Sequence, residues 1–362
     1  MTCVQDSLSS EELDTWARRP APASRRELIG VAEAVVEINA PSPIVDYVRW
    51  YTEGYFGSQQ SPAQARLFVH GVPPERWRSV RQSRLAPPLR RAVLRSAPDM
   101  ICLVDDGCRA VHLLPPVASE HQSLLVVVRI LRALVLRELL ARNHPFFHAA
   151  CFALRGMGVA LIGSHTAGKT TTLLHALGHP EVALVSNDKF ALVPIAGSEP
   201  IAALGFPIQA GIRAGSVLAL AEGPLRSFLV RRWSQRYGDV EARYSRDTRL
   251  QVRPQELAAA VGSVVMPRCR LGMAIEPHLD PQATIPRLQR LNSADCKALW
   301  ARNLLHHPAT VFPQQAAVAD PAIRAELRIP QIPAYRLIQP PAAGPLTVRL
   351  LEDLMCRTAV GE

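Results

Sequence analysis

The 362-residue chain is 48% hydrophobic, so it has room for one large domain or two moderate ones, and a chain disordered throughout is excluded. Its 41 Lys and Arg against 31 Asp and Glu leave a formal charge of +10. That charge suits anionic partners such as nucleotides, phosphorylated compounds, acidic peptides or RNA, and equally suits the Arg-, Ala- and Pro-rich usage of a high-GC genome.

The first residues, Met1–Asp6, lack the basic start and apolar core of a signal peptide. Residues 1–28 mix Ser, Glu, Pro and Arg without apolar periodicity and read as a flexible leader. Over 29–120, short apolar runs alternate with turn signals and predict a small α+β domain. They are Ala34–Ile38, Leu67–Val69 and a hairpin of Met100–Val104 with Arg109–Leu114 around Asp105-Asp106-Gly107. Arg76, Arg78, Arg81, Arg84, Arg90, Arg91 and Arg95 stand among prolines there, as a solvated surface or an RNA-binding strip.

Leu124, Val127, Val128, Leu131, Leu134, Val135, Leu139 and Leu140 recur at three- and four-residue intervals, which predicts a long amphipathic helix opening a main domain over 121–358. Arg129, Arg132, Arg137 and Arg142 interrupt this most apolar stretch, so no membrane span is expected. The 7 cysteines are scattered without a C-x-x-C pair, which fits a soluble protein of a reducing cytoplasm. Phe146–Leu154 and Val159–Ile162 flank Arg155-Gly156-Met157-Gly158 as a hairpin entering a sheet core.

Gly163-Ser164-His165-Thr166-Ala167-Gly168-Lys169-Thr170 then fits G-x-x-x-x-G-K-[ST] in full, with a buried-strand pattern before it and a helix, Thr171–Leu177, after it. In that order the glycines let backbone N–H groups turn toward phosphates, and the helix N-terminus through Thr171 adds positive potential. Lys169 neutralises the β- and γ-oxygens, and the Thr170 hydroxyl ligates Mg²⁺. The apolar run Val182–Val185 ends in Ser186-Asn187-Asp188-Lys189, where Asp188 is either a second metal-facing carboxylate or part of an ordinary polar turn.

These residues resemble the HPr kinase/phosphorylase family and its HPr-kinase-like relatives in bacterial biosynthetic clusters, whose core is similar to that of phosphoenolpyruvate carboxykinase. The resemblance is carried by His148-Ala149-Ala150, Gly163–Thr170, Val185-Ser186-Asn187-Asp188, and Gly205-Phe206-Pro207 leading to Ile212-Arg213-Ala214-Gly215. Lys169 lies 21 residues after His148, and Asp188 lies 19 after Lys169, close to the family's arrangement. The likeness is firm over 124–216. Beyond it, a strand at Pro333–Leu337 and a helix at Leu346–Met355 look like the usual end of such a core.

The resemblance implies an α/β P-loop kinase core preceded by the small α+β domain. It also implies assembly into oligomers, ATP and magnesium as cofactors, and His148 and Arg213 near the γ-phosphate. An imidazole there can stabilise charge or move a proton, although a histidine on an apolar strand is also a common core residue. His144, His165 and His175 read as surface or loop residues, His165 being also part of the phosphate loop.

The family carries two adjacent aspartates where this chain has Asn187-Asp188, and asparagine cannot take a proton. Either Asp188 or His148 substitutes, or the acceptor is positioned rather than deprotonated, or no phosphate is transferred. The family's signature for recognising HPr is not legible, so HPr is not the expected substrate. Arg226, Arg231, Arg232, Arg236, Arg243, Arg246, Arg249 and Arg253 crowd one segment with Trp233, Tyr237 and Tyr244, as a lid or acceptor-binding element or as a solvated helix face.

The expected activity is ATP- and Mg²⁺-dependent transfer of the γ-phosphoryl group to a hydroxyl of a peptide, protein or small metabolite. The alternative is a nucleotide-gated module that binds a partner enzyme or precursor without transfer, which Asn187 favours. An RNA-directed ATPase rests only on net charge, so nucleic acid is not an expected partner.

Overall fold

The first two strands, Ser24–Val31 (β1), with its charged run Arg25-Arg26-Glu27, and Ala34–Pro41 (β2), rich in buried aliphatics, pair antiparallel over their whole length. A computed structural model describes residues 24–70, 90–92, 94, 100–105, 109–114, 120–195, 201–238, 248–305, 332–340 and 344–360. They divide into one unit up to Asn143 and another from His144 onward.

β1 overlaps the stretch read as leader. Its polar residues gave no apolar period, but they are held by ion pairs: Arg25 reaches Asp46 at 3.0 Å, and Glu27 pairs with Arg49, both partners on the helix Ser42–Thr52 (α1). The first unit is completed by Gly57–Ser58 (β3), Ala65–Val69 (β4), Arg90–Ala92 (β5), Ile101–Val104 (β6) and Ala110–Leu114 (β7). Its sheet runs β3-β1-β2-β4-β7-β6-β5, with β2–β4 and β4–β7 parallel. The expected hairpin is β6–β7, paired Ile101 to Leu114. Arg90 and Arg91 lie exposed on β5, whereas Arg76, Arg78, Arg81, Arg84 and Arg95 lie outside the described residues.

The long periodic helix spans Glu120–Ala141 (α2). Rather than opening the second unit, it packs on β2, β4 and α1 of the first. Val127, Val128, Leu131, Leu134, Val135 and Leu139 are buried there, and this sheet face is the apolar surface that such a stripe needs. No described helix is long and apolar enough to cross a membrane.

In the second unit Phe146–Leu154 (β8) turns through Arg155 (φ 53°) and Gly156 (φ 80°) into Met157–Ile162 (β9). Two successive positive φ values make this the primed hairpin turn that matches strand twist. Lys169–Leu177 (α3) follows, then Val182–Ser186 (β10), Lys189–Pro194 (β11) and Ile201–Gly205 (β12). Ala210–Ile212 (β13) and Leu250–Val252 (β14) form a separate ribbon. Between them lie Ala214–Leu218 (α4) and Pro224–Tyr237 (α5).

The unit ends with Pro254–Ala260 (α6), Arg268–Leu279 (β15), Arg287–Arg290 (β16), Ser293–Asn303 (α7), Ala334–Gln339 (β17) and Gly344–Val360 (α8). The last strand and helix cover the segments expected to close the core.

β8 pairs with β9 on one side and with both β10 and β11 on the other. β15 pairs with β9, and with β12 and β17. With β11 paired to β12, the strands β8, β9, β15, β12 and β11 close a ring. Side chains of alternate β8 residues enter two cores. Ala150, Phe152 and Leu154 face α3, α5 and α8, while Phe147, Ala149, Cys151 and Ala153 share the other core with Trp300 of α7. Trp300 meets Phe147 edge-on at 4.8 Å between ring centres.

Candidate functional site

The glycine loop is placed by a strand of the sheet core. Val159–Ile162 of β9 are fully enclosed, the chain leaves the sheet at Gly163, and α3 begins at Lys169. Thr166 (φ 70°) and Gly168 (φ 104°) adopt left-handed conformations to make the turn. Gly168 is required twice, because a Cβ there would also lie 2.8 Å from Leu279 Cγ. A Cβ on Gly163 would come within 3.2 Å of Ala167.

Ser164, His165 and Thr166 are exposed at the crown, and Ala167, Lys169 and Thr170 are half-buried. The Lys169 ammonium folds back across the loop and donates to the carbonyls of Gly163 at 2.7 Å and Ser164 at 3.0 Å. Burial lowers its pKa, and the nearby Asp188 partly restores it. Thr171 and Ser216 hydroxyls meet at 3.0 Å, tying the first turn of α3 to α4.

Asp188 lies just past the tip of β10, as expected; what the sequence did not show is that β10 and β11 run end to end along the same edge of β8, with Asn187-Asp188 as the break between them. A bulge between Leu184 and Ser186 starts this break. The register sets Lys189 opposite His148, so the next residue, Asp188, reaches the imidazole: His148 Nε2 and Asp188 Oδ1 are 3.3 Å apart, both side chains half-exposed.

Burial pushes the Asp188 carboxyl up. The hydrogen bond from His148 and the charges of Lys189, His148 and Lys169 outweigh that push, and the group ends below the ordinary carboxylate range. The Asn187 side chain is buried, and its Oδ1 has no hydrogen-bond partner.

Arg213 immediately precedes α4 as its N-cap residue, at the end of β13. His165 joins it to the loop electrostatically: burial, then Arg213, Arg249, Lys169 and His148, lower the imidazole pKa. The sequence-predicted residues His148, Gly163–Thr170, Asp188 and Arg213 are thus brought to one locality. Arg249 was visible only as one of many arginines; its guanidinium Nη2 lies 3.3 Å from His165 Nε2. The pairing of β13 with β14 selects it, a signal that the spacing of arginines does not carry.

In the same segment, Leu225, Leu229 and Trp233 of α5 are buried at four-residue intervals, so that helix is anchored in the core, and residues 239–247 lie outside the described ones. His175 is buried against the start of α8 rather than exposed. His179, Glu181 and Glu352 cluster beyond the far end of α3, but Arg155 already holds both carboxylates, at 2.8 and 3.2 Å.

No protein-family model matches the chain, and no curated protein matches it. Among solved structures it is similar to the Hpr(Ser) kinase/phosphatase from Coxiella burnetii, at 11% identity and a TM-score of 0.30, over 59% of this chain and 98% of that one. At that TM-score the likeness assigns nothing to this chain.

Proposed function

We propose that the second unit binds ATP with magnesium and transfers the γ-phosphoryl group to a hydroxyl of a peptide, protein or small metabolite. One observation carries this reading: the loop that bears Lys169 and the His148–Asp188 pair lie close enough for Lys169 and Asp188 to shift each other's charge state. A phosphate grip and an acid–base pair in one place are the parts that phosphoryl transfer needs.

The residues fit the implied groups. Glycine at 163 and 168 leaves the loop free of side chains that would fill it, and helix α3 opens toward it with its positive end. An ionised Asp188, the Thr170 hydroxyl and the orphaned Asn187 oxygen are hard oxygen donors of the kind magnesium takes. Thr170 and Asp188 would hold the ion, which when bound supplies charge neutralisation on the phosphate oxygens.

Lys169 and the loop amides hold the nucleotide, and Arg213 balances charge at the reacting group. Asp188, held below the ordinary carboxylate range, is a weak proton acceptor. His148 is the better one, with Asp188 orienting its ring through Nε2.

The test is incubation of the full chain with γ-labelled ATP, Mg²⁺ and fractionated lysate of the source cells. Label should pass to an acceptor with wild type and not with Lys169→Ala. Unchanged ATP affinity in Lys169→Ala by calorimetry would remove the phosphate-loop role.

The buried, unpartnered Asn187 in place of a second acid supports the alternative of a nucleotide-gated binding module. A kinase loses turnover with Asn187→Ala at little-changed ATP affinity. A binding module labels nothing as wild type and gains at most a feeble ATPase with Asn187→Asp.

A further inference from the structure

We propose that Arg249 and Arg213 form an anion subsite beside the phosphate loop, which takes an oxyanion, phosphate or carboxylate, borne by the acceptor. The inference rests on the phosphotransferase reading and names the class of its substrate: a hydroxyl compound that carries its own negative group.

The geometry comes from the β13–β14 ribbon. Ile212 pairs with Leu250, Gly211 with Gln251 and Ala210 with Val252, so the next positions outward in the same register are Arg213 and Arg249. The two arginines therefore leave the ribbon side by side at one end. The Arg249 stem lies across Gly211, where a Cβ would come within 3.2 Å of its Cδ. Tyr237 holds the same residue through its backbone, its hydroxyl donating to the Arg249 carbonyl at 3.1 Å.

The guanidinium then ends against His165 at the exposed crown of the loop, 3.3 Å from Nε2. A planar, always-charged fork steadied at its stem is the side chain suited to bidentate oxyanion binding. Among the described residues no carboxylate pairs with Arg213 or Arg249.

The charge around the loop decides between nucleotide and acceptor as the source of the anion. The triphosphate is met from inside the loop by Lys169, the backbone amides and its own metal. Arg249 ends instead on the imidazole of His165. Arg213, Arg249 and Lys169 act together on His165, whereas Asp188 feels only Lys189, Lys169 and His148. With Arg213 shared with the reacting group, the Arg249 guanidinium leaves positive charge that a neutral alcohol would not compensate.

The experiment loads the full chain with Mg²⁺ and the non-hydrolysable β,γ-imido analogue of ATP, then titrates inorganic phosphate by calorimetry, with acetate as a second titrant. On the loaded wild type, phosphate should bind saturably. Arg249→Gln should weaken it at least tenfold, and Arg249→Lys by less, while analogue affinity changes less than twofold and the melting midpoint stays put.

Saturable binding of acetate that Arg249→Gln also weakens identifies a carboxylate as an accepted group; acetate that fails beside phosphate that binds confines the site to phosphate. The proposal is overturned if the loaded wild type binds neither anion, or if Arg249→Gln leaves anion affinity unchanged. It also falls if the variant loses analogue affinity by a similar factor, because the guanidinium then serves the nucleotide. Failure of the analogue to bind wild type overturns the phosphotransferase reading, and this subsite with it; analogue binding without anion binding overturns the subsite alone.

Discussion

Lys169 is a half-buried ammonium whose hydrogen bonds, among the described residues, go to two carbonyls of its own loop, so its removal breaks no described core contact. Lys169→Ala should cost at least tenfold in ATP affinity, about 1.4 kcal/mol, by calorimetry, with a melting midpoint like wild type. Gly168 is different. Gly168→Ala places a side chain at φ 104° and against Leu279, which costs about 1–2 kcal/mol for the left-handed backbone alone and more for the overlap. Denaturant titration should show that loss, and adding Leu279→Ala should recover the overlap but not the backbone part. Full recovery would mean that the loop does not need glycine's φ. At this scale the phosphate loop was legible because its residue types are dictated locally. The Asp188–His148 contact joins residues far apart in sequence through the β8 register, which no local pattern announces.

Elements meet at a small buried polar bridge. Gln339 at the end of β17 donates to Thr172 of α3 at 2.6 Å and accepts from Thr347 of α8 at 2.8 Å. All three are buried, so the bridge fixes α3 between the sheet and the last helix. Gln339→Leu keeps the volume and leaves two hydroxyls unpaired, which should cost about 1–3 kcal/mol by chemical denaturation. A change under 0.5 kcal/mol would mean that the hydroxyls find other partners. The same scale explains two misplaced boundaries. β1 lacked an apolar period because its polar residues Arg25 and the buried Glu27 are spent on ion pairs with α1. The α2 period was plain, but a stripe says that a helix is buried and not which sheet buries it.

In the whole molecule, the two units are expected to respond to different ligands: the first to protons and the second, on the proposed function, to nucleotide. In the first, His70 and His112 stack on Phe68, with His70 Nε2 and His112 Nδ1 3.0 Å apart and both rings buried. Burial, and then His112, push the His70 pKa to about 3; burial, and then Arg66, push that of His112 to about 4. Both folded values lie below the unfolded one near 6.5. Their neutral forms therefore contribute fully above pH 6.5, and the stability falls as pH drops from 6.5 toward 4, by about 2 kcal/mol per imidazole at pH 5. Scanning calorimetry from pH 7 to 5 should lower the first unit's transition, and His112→Asn should flatten that dependence. Mg²⁺ with ATP should raise the second unit's transition by mass action. A nucleotide that raised only the acid-sensitive transition would contradict the placement of the site.

The sequence by itself determined the glycine turn at Gly163–Lys169, the strands and helix that flank it, and the hairpins. Each is set by residues near one another in the chain: glycines for positive φ, an apolar period for a buried face, and paired runs around a turn. The tertiary structure alone decided that β10 and β11 share one edge of β8, which puts Asp188 beside His148, and that a ribbon turns Arg249 toward His165. Strand pairing between distant segments carries no local sequence signature, because backbone hydrogen bonds are the same for every residue type and the register emerges only when the whole sheet closes.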